Sequence, residues 1–410
     1  MRKLIHTAVV CGLVFYMTSF LSINETHAQV AVCGEVVYTM SGSPLQNGIV
    51  LIRKNKIEQV GLAAQVSIPG DYKVMSAKVV TPGLIDAHSV VGLSGIYNQA
   101  HDQDQLEKSS AIQPELRALD AYNPREKLVE WIRNLGVTTV HTGPAPGALA
   151  SGQTIIVKTV GGTVNEALLD SIGMVAFTLG QTVGENFRSP GTRSKGVAMI
   201  RAEFVKAQDY ALKRKAKDPD KRPTRDLELE TLLRVLNGQV KALFTVNKAT
   251  EIMSALRLAK EFKFDLVLDG AAEAYLAMNE IKAAGVPVII HPTMVRTYGD
   301  TRNASFETAQ QLEKAGIPIA LQSGYEDYVP KTRVVLYEAA IAAANRLPYE
   351  KALGAITIDA ARIIGVDKRV GSLEQGKDAD VVLFDGDPFE YTTHVCGVIV
   401  NGSVVSETCK

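Results

Sequence analysis

Between Thr81 and Ile364 short apolar runs alternate with amphipathic stretches, and this alternation restricts the chain to a largely parallel sheet covered by helices. The strand candidates are Leu84 to Ala87, Val137 to Val140, Thr154 to Val157, Met174 to Leu179, Ala242 to Val246, Leu266 to Leu268, Val286 to Ile290 and Ile317 to Leu321. Helical periodicity falls between them at Arg125 to Leu135, Ile252 to Phe262, Glu273 to Ala284 and Glu307 to Ala315. Several helices end in glycine and feed a strand directly, as in Asn134-Leu135-Gly136-Val137 and Ala284-Gly285-Val286-Pro287. Eight such strands predict an α/β fold, a TIM-like (β/α)8 barrel over residues 81–365. A doubly wound open sheet is the alternative. No Gly-x-Gly-x-x-Gly follows a strand, so a dinucleotide site has no support.

Both ends have a different texture. Val36 to Met40, Gly48 to Arg53 and Ile57 to Val60 read as short strands, and the pattern returns at Ala379 to Phe384 and Gly397 to Ser406. Asn401-Gly402 is a two-residue hairpin signal. A small composite β-sandwich from residues 29–80 and 366–410 is therefore expected. The charged run from Lys206 to Leu236 reads as a solvated helix pair joined by a loop.

Lysine plus arginine balance aspartate plus glutamate at 44 each, which leaves no basic face for nucleic acid or an anionic membrane. Met1-Arg2-Lys3, an apolar run from about Ala8 to Ile23 and the small Ala28 together predict a signal peptide over residues 1–28 and an exported, periplasmic or secreted protein. Cleavage would leave Cys33, Cys396 and Cys409. If the ends meet, Cys33 would pair with Cys396 or Cys409; three unpaired thiols are the alternative.

The segment Val79 to Gly95, VVTPGLIDAHSVVGLSG, carries the chemistry-bearing motif. With Asn47-Gly48-x-Val50-Leu51-Ile52, Gly371-Ser372-Leu373-Glu374-x-Gly376-Lys377-x-Ala379-Asp380 and Asp385-x-Asp387-Pro388-Phe389, it resembles the amidohydrolase superfamily, specifically its imidazolonepropionase-like members. The resemblance covers nearly the whole mature chain. It implies a hydrolase acting on carbon-nitrogen bonds, non-peptide or dipeptide-like, and a catalytic divalent metal bound where the first strand ends in Asp-x-His-x-His. Here the first histidine is His88 and the second position is Val90. The fifth and sixth strands end in Asn247 and Asp269, and the eighth in Gln322-Ser323-Gly324, without the family's aspartate.

The remaining polar residues at strand ends suggest a remodelled site. His88, His141 and His291 are the candidate ligands for a divalent ion, most simply zinc, because neutral imidazoles suit such an ion. Asp269 or Asp327 would serve as general base. Asn247, His101 and Lys158 are candidate substrate-binding residues, and Lys158 is the one candidate for a carbamylated, metal-bridging lysine. The expected partner is a small-molecule substrate, with no membrane after leader removal, and a homo-oligomer is compatible with the sequence. A reading from another class is a catalytically inactive, metal-free pseudoenzyme that acts as a periplasmic binding or scaffold protein.

Overall fold

The computed structural model describes residues 29–97, 99–293, 298–325 and 334–410. The expected leader, residues 1–28, and the candidate base Asp327 lie outside the described residues. The chain opens with β1 (Val30–Val37), β2 (Leu45–Arg53), β3 (Lys56–Leu62) and β4 (Lys73–Pro82). The long middle carries β5 (Leu84–Ser89), β6 (Val137–Thr142), β7 (Ala150–Gln153), β8 (Ile155–Lys158), β9 (Leu168–Asp170) and β10 (Met174–Thr178). It continues with β11 (Lys241–Val246), β12 (Leu266–Gly270), β13 (Val288–Ile290) and β14 (Ile319–Leu321), and β15 (Val381–Phe384), β16 (Val395–Val400) and β17 (Ser403–Ser406) follow.

The two ends build one seven-stranded sheet in the order β17-β16-β15-β4-β1-β2-β3. Its pairing is a single ladder rather than two facing sheets, and β4 joins the halves by pairing parallel with β1 and antiparallel with β15. Period-two alternation gives the sheet two apolar faces: Val30, Val32, Val50 and Ile52 pack in one cluster, and Ala31, Ile49 and Leu51 in another. Asn401 and Gly402 turn β16 into β17 with φ of 48° and 73°. Positive φ at both central residues is what a type I′ hairpin requires. A side chain at Gly402 is also barred by space, since a Cβ there would lie 2.0 Å from the Lys54 carbonyl oxygen.

In the middle all eight expected strands form, but not with the expected sense. β5 and β6 pair parallel, as do β10 through β14 in succession. The stretch 150–158 runs against both groups: β7 pairs antiparallel with β10, and β8 antiparallel with β6. The result is a four-stranded sheet, β5-β6-β8-β9, and a six-stranded sheet, β14-β13-β12-β11-β10-β7. The ring is bridged on one side by the chain step at Thr154 and on the other by the isolated pair Ser89 and Gly324, not by a continuous closed ladder. The expected parallel sense of the third strand is therefore corrected to antiparallel, and the middle region is a mixed α/β arrangement whose two sheets do not form one closed ladder. The reversal has a local cause: with no helix between β6 and β7, only 142–150 connect them, too short for a parallel crossover.

An apolar layer fills the space enclosed by these strands. Ile85, Ile156, Met174, Leu243, Val267, Ile289 and Ala320, one residue from each of seven strands, pack in one buried cluster. Alternate residues share a face, so the next inward positions are set two residues along. Those positions are Thr245 and Asp269 on β11 and β12, His291 and Gln322 just past the ends of β13 and β14, and Thr154, two residues back, beside antiparallel β8.

The charged run near 206–236 forms a packed helix pair, Arg193–Arg214 and Leu227–Leu236. No described helix is long and apolar enough to cross a membrane. The cysteine expectation is corrected: Cys396 bonds to Cys409, and Cys33 is a free, half-buried thiol. Cys33 lies on β1, separated from β16 by β4 and β15, which puts it about 14 Å away at the usual strand spacing.

Candidate active site at the strand ends

Asp269, the fourth residue of β12, is fully buried and accepts from four donors or ring positions. Thr245 Oγ1 donates at 2.6 Å and Gln322 Nε2 at 2.5 Å, the Tyr325 hydroxyl donates as well, and His88 Nδ1 stands at 3.2 Å. Burial on its own would raise the Asp269 carboxyl; His88, Thr245 and Tyr325 together hold it below the usual carboxylate range. Burial and the neighbouring Asp269 charge push the Tyr325 hydroxyl well above its ordinary value, so it remains a donor.

His141 lies beside this group, its ring centroid 5.4 Å from that of His88. Its Nδ1 bonds the Ala87 carbonyl at 2.7 Å and its Nε2 the Thr154 hydroxyl at 2.6 Å. Burial, followed by the neighbouring His88, lowers the imidazole to about 3, so it is neutral. One step further out, Asp86 accepts from the backbone N–H and the hydroxyl of Ser323. Burial raises its carboxyl to about 6 although both bonds oppose the shift.

Above the network is a cavity of about 430 Å³, lined among others by Thr245, Asn247, His291, Tyr325 and Glu338. This is ample for a compact small molecule. His291 Nδ1 faces Glu338 Oε1 at 3.6 Å. Glu338 is wholly buried, and its other oxygen is held by the Thr293 backbone N–H and hydroxyl. Asn247 also reaches the cavity, and its side-chain oxygen is buried with no hydrogen-bond partner among the described residues.

The three histidines do not meet at a metal point. Zinc draws its ligands to bonds of about 2.0 to 2.3 Å, which puts ligand atoms within about 4 Å of one another. Among the described residues the only His, Cys, Asp or Glu trio with ligand atoms within 4.8 Å of one another is Asp385, Cys396 and Cys409, in the terminal sheet. Both nitrogens of His141 are engaged, the Asp269 oxygens are saturated, and His291 is turned to Glu338 across the Tyr325 ring, 6.0 Å from it. One atom fits a cation, His88 Nε2, which is buried without a hydrogen-bond partner among the described residues. A single imidazole nitrogen does not hold a divalent ion, so the described side chains at these strand ends do not by themselves supply a site for the family's metal.

The other expected residues separate. His101 is an exposed residue of a short helical turn, Ala100–Asp102, and does not line the cavity. Lys158 ends a strand of opposite sense, so it lies at the foot of β6 rather than at the mouth. There it is buried between Asp380 and, at 3.4 Å, Asp378, away from the cavity at the strand ends. Tyr325 and Glu338 were not anticipated. Glu338 left a trace in the sequence, as the single acid in the otherwise apolar helix Val334–Ala344, VVLYEAAIAAA.

A family model for the amidohydrolase family matches residues 266–406. The amidohydrolase tasK of Hapsidospora irregularis is 26% identical over 384 residues, 83% of this chain but 38% of that protein. The chain thus spans well under half of the length of that relative. Imidazolonepropionase of Fusobacterium nucleatum is 24% identical, covering 88% of this chain and 91% of the relative. The crystal structure of an amidohydrolase from Thermotoga maritima superposes with a TM-score of 0.86 at 28% identity, over 92% of this chain and 100% of the other. By these matches the chain is similar to the amidohydrolase superfamily, and within it to imidazolonepropionase.

Proposed function

We propose that this protein is a hydrolase of carbon-nitrogen bonds in small, compact substrates, non-peptide or dipeptide-like, and that it works in the 430 Å³ cavity without a metal held by the strand-end histidines. Its similarity to amidohydrolases and to imidazolonepropionase supports the reaction class. Proteins of that family generally use divalent metals, so the departure is in the means of activating water.

The observation that carries this reading is the pair His291 and Glu338. His291 is on the cavity wall with a buried carboxylate facing its Nδ1, and in this scheme its imidazole serves as general base. His291 takes a proton from water as the water oxygen attacks the substrate carbonyl carbon, and returns it to the departing nitrogen. Asn247 binds a polar substrate group through its unpartnered side-chain oxygen. Asp269 does not act as base in this scheme, because its oxygens are occupied by four neighbours; it holds Tyr325 and His88 in place.

The test is a panel of cyclic imides, lactams, N-acyl amino acids and dipeptides assayed with and without chelator. Turnover that survives chelation and falls about 100-fold or more in His291→Asn supports the reading. A second reading, a binding protein without turnover, is favoured by the full occupation of His141 and Asp269 by protein partners. Saturable binding without hydrolysis, abolished by filling the cavity through Asn247→Trp, would establish it in place of the first.

A further inference from the structure

The corner formed by β15, β16 and the chain end is built from residues that the reaction above does not use. Val395 and Lys410 exchange backbone hydrogen bonds at 3.2 and 2.9 Å, so the stretch after β17 adds to β16 as a further antiparallel segment. The next pair along is Cys396 and Cys409, at the non-hydrogen-bonded position where facing side chains stand closest. Asp385, just beyond the end of β15, completes the group: one ligand atom from each of the three residues lies within 4.8 Å of the other two. The Asp385 carboxylate is fixed by the His394 backbone N–H at 2.7 Å and faces the His394 ring Nδ1 at 3.1 Å. The three residues open on a cleft of about 750 Å³ that Cys33 and Lys78 also line.

We propose that this corner is a redox-gated metal site. When a thiol reductant opens the Cys396–Cys409 disulfide, Cys396, Cys409 and Asp385 bind one thiophilic divalent cation of the zinc type. The reduction balances as two thiol molecules joining into their own disulfide while their two electrons and two protons convert the protein disulfide to two thiols. Binding then releases those two protons to solvent, since the thiolate is the metal ligand.

Two thiolates and a carboxylate suit zinc, with water as fourth ligand. Two zinc-sulfur bonds of about 2.3 Å in a tetrahedral site hold the sulfurs about 3.8 Å apart, so Cys409 must move outward from its bonded position. Cys409 belongs to the exposed stretch 407–410, tied to β16 by the Val395 and Lys410 pair, so little packing opposes that movement. His394 takes the part of the carboxylate's outer partner, which orients a ligand and tunes its affinity. The oxidised protein has no such site, because each sulfur is spent on the other.

The test uses the full chain, as isolated and after thiol reduction and anaerobic removal of the reductant, with zinc ion alone as the probe. Zinc is measured by competition with a chromogenic chelator, and cadmium replaces it to report thiolate ligation by charge-transfer absorption. The expected result is one zinc per reduced chain and none per oxidised chain. Cys409→Ser and Asp385→Asn should each weaken binding at least 10-fold, and His394→Ala about 10-fold. Cys33→Ser and His88→Ala should leave it unchanged. Circular dichroism shows whether each variant is folded, and the wild-type comparison of redox states needs no substitution. Equal zinc binding before and after reduction would overturn the proposal. So would loss of binding in Cys33→Ser, which would assign the ligands elsewhere.

Discussion

His88 and Asp269, 181 residues apart, face each other at 3.2 Å with both side chains fully buried. The contact joins the first parallel strand of the middle region to the sixth strand end that the family resemblance singled out, and Thr245, Gln322 and Tyr325 complete the shell around the carboxylate. The Asp269 carboxylate is thus surrounded by side chains of the protein itself.

Removing that carboxylate should be costly to the fold. Asp269→Ala leaves three donors and an imidazole buried without their acceptor, and a loss of about 3 to 5 kcal/mol is expected. Urea unfolding monitored by circular dichroism measures it. Tyr325→Phe removes one donor only and should cost about 1 kcal/mol.

His141 makes the fold sensitive to acid. Its folded pKa of about 3 lies below the ordinary histidine value of 6.5, so the unfolded chain binds the proton more readily. The stabilisation is fully present above about pH 6.5 and is lost as pH falls from there toward 3, by on the order of 4 kcal/mol. His141→Gln, whose amide can bond both Ala87 and Thr154 without titrating in this range, should flatten that limb of a stability-pH curve measured by urea titration.

Glu228, in the helix Leu227–Leu236, should act in the opposite sense. Partial burial, followed by the neighbouring Glu203 and Glu115, raises its carboxyl to about 7. Its favourable contribution is present below the ordinary value of 4.5 and is lost as pH rises toward 7. Glu228→Gln should stabilise the protein at pH 8 by at most about 1 kcal/mol, reduced by solvent screening at this half-exposed site, and leave it unchanged at pH 4. Thermal unfolding at the two pH values checks this.

Lys158 should matter to stability and not to chemistry. Lys158→Met leaves the buried Asp380 with neutral donors only, Thr138 and the Asn401 N–H, and leaves Asp378 with its outer partners, Lys56 and Arg369. A loss of about 3 to 5 kcal/mol is expected, with the KM and kcat of any substrate turned over by the folded variant unchanged.

The existence of the eight middle strands was legible because each is an apolar run closed by a turn or glycine. The sense of β8 was not, because an apolar run carries no direction, and the error placed Lys158 at the mouth instead of at the foot of the sheet. His88, His141, His291 and Asp269 were expected at strand ends, yet the hydrogen bonds of His141 and Asp269 depend on partners such as Thr154 and Tyr325 that look unremarkable in sequence. Cys33 was misplaced for a related reason. Sequence suggested that the two ends meet in one small β-sandwich, but the strand order that puts β4 and β15 between Cys33 and Cys396 comes from long-range pairing.

The central claim is that the strand-end site is complete without a metal. Metal analysis of the Cys396→Ser/Cys409→Ser double variant tests it most directly, since that variant removes the corner site and leaves His88, His141 and His291 intact. The expected result is less than about one tenth of a divalent ion per chain, with an unfolding midpoint that chelator does not move. One zinc, iron or manganese ion per chain, lost on His88→Ala, would contradict it.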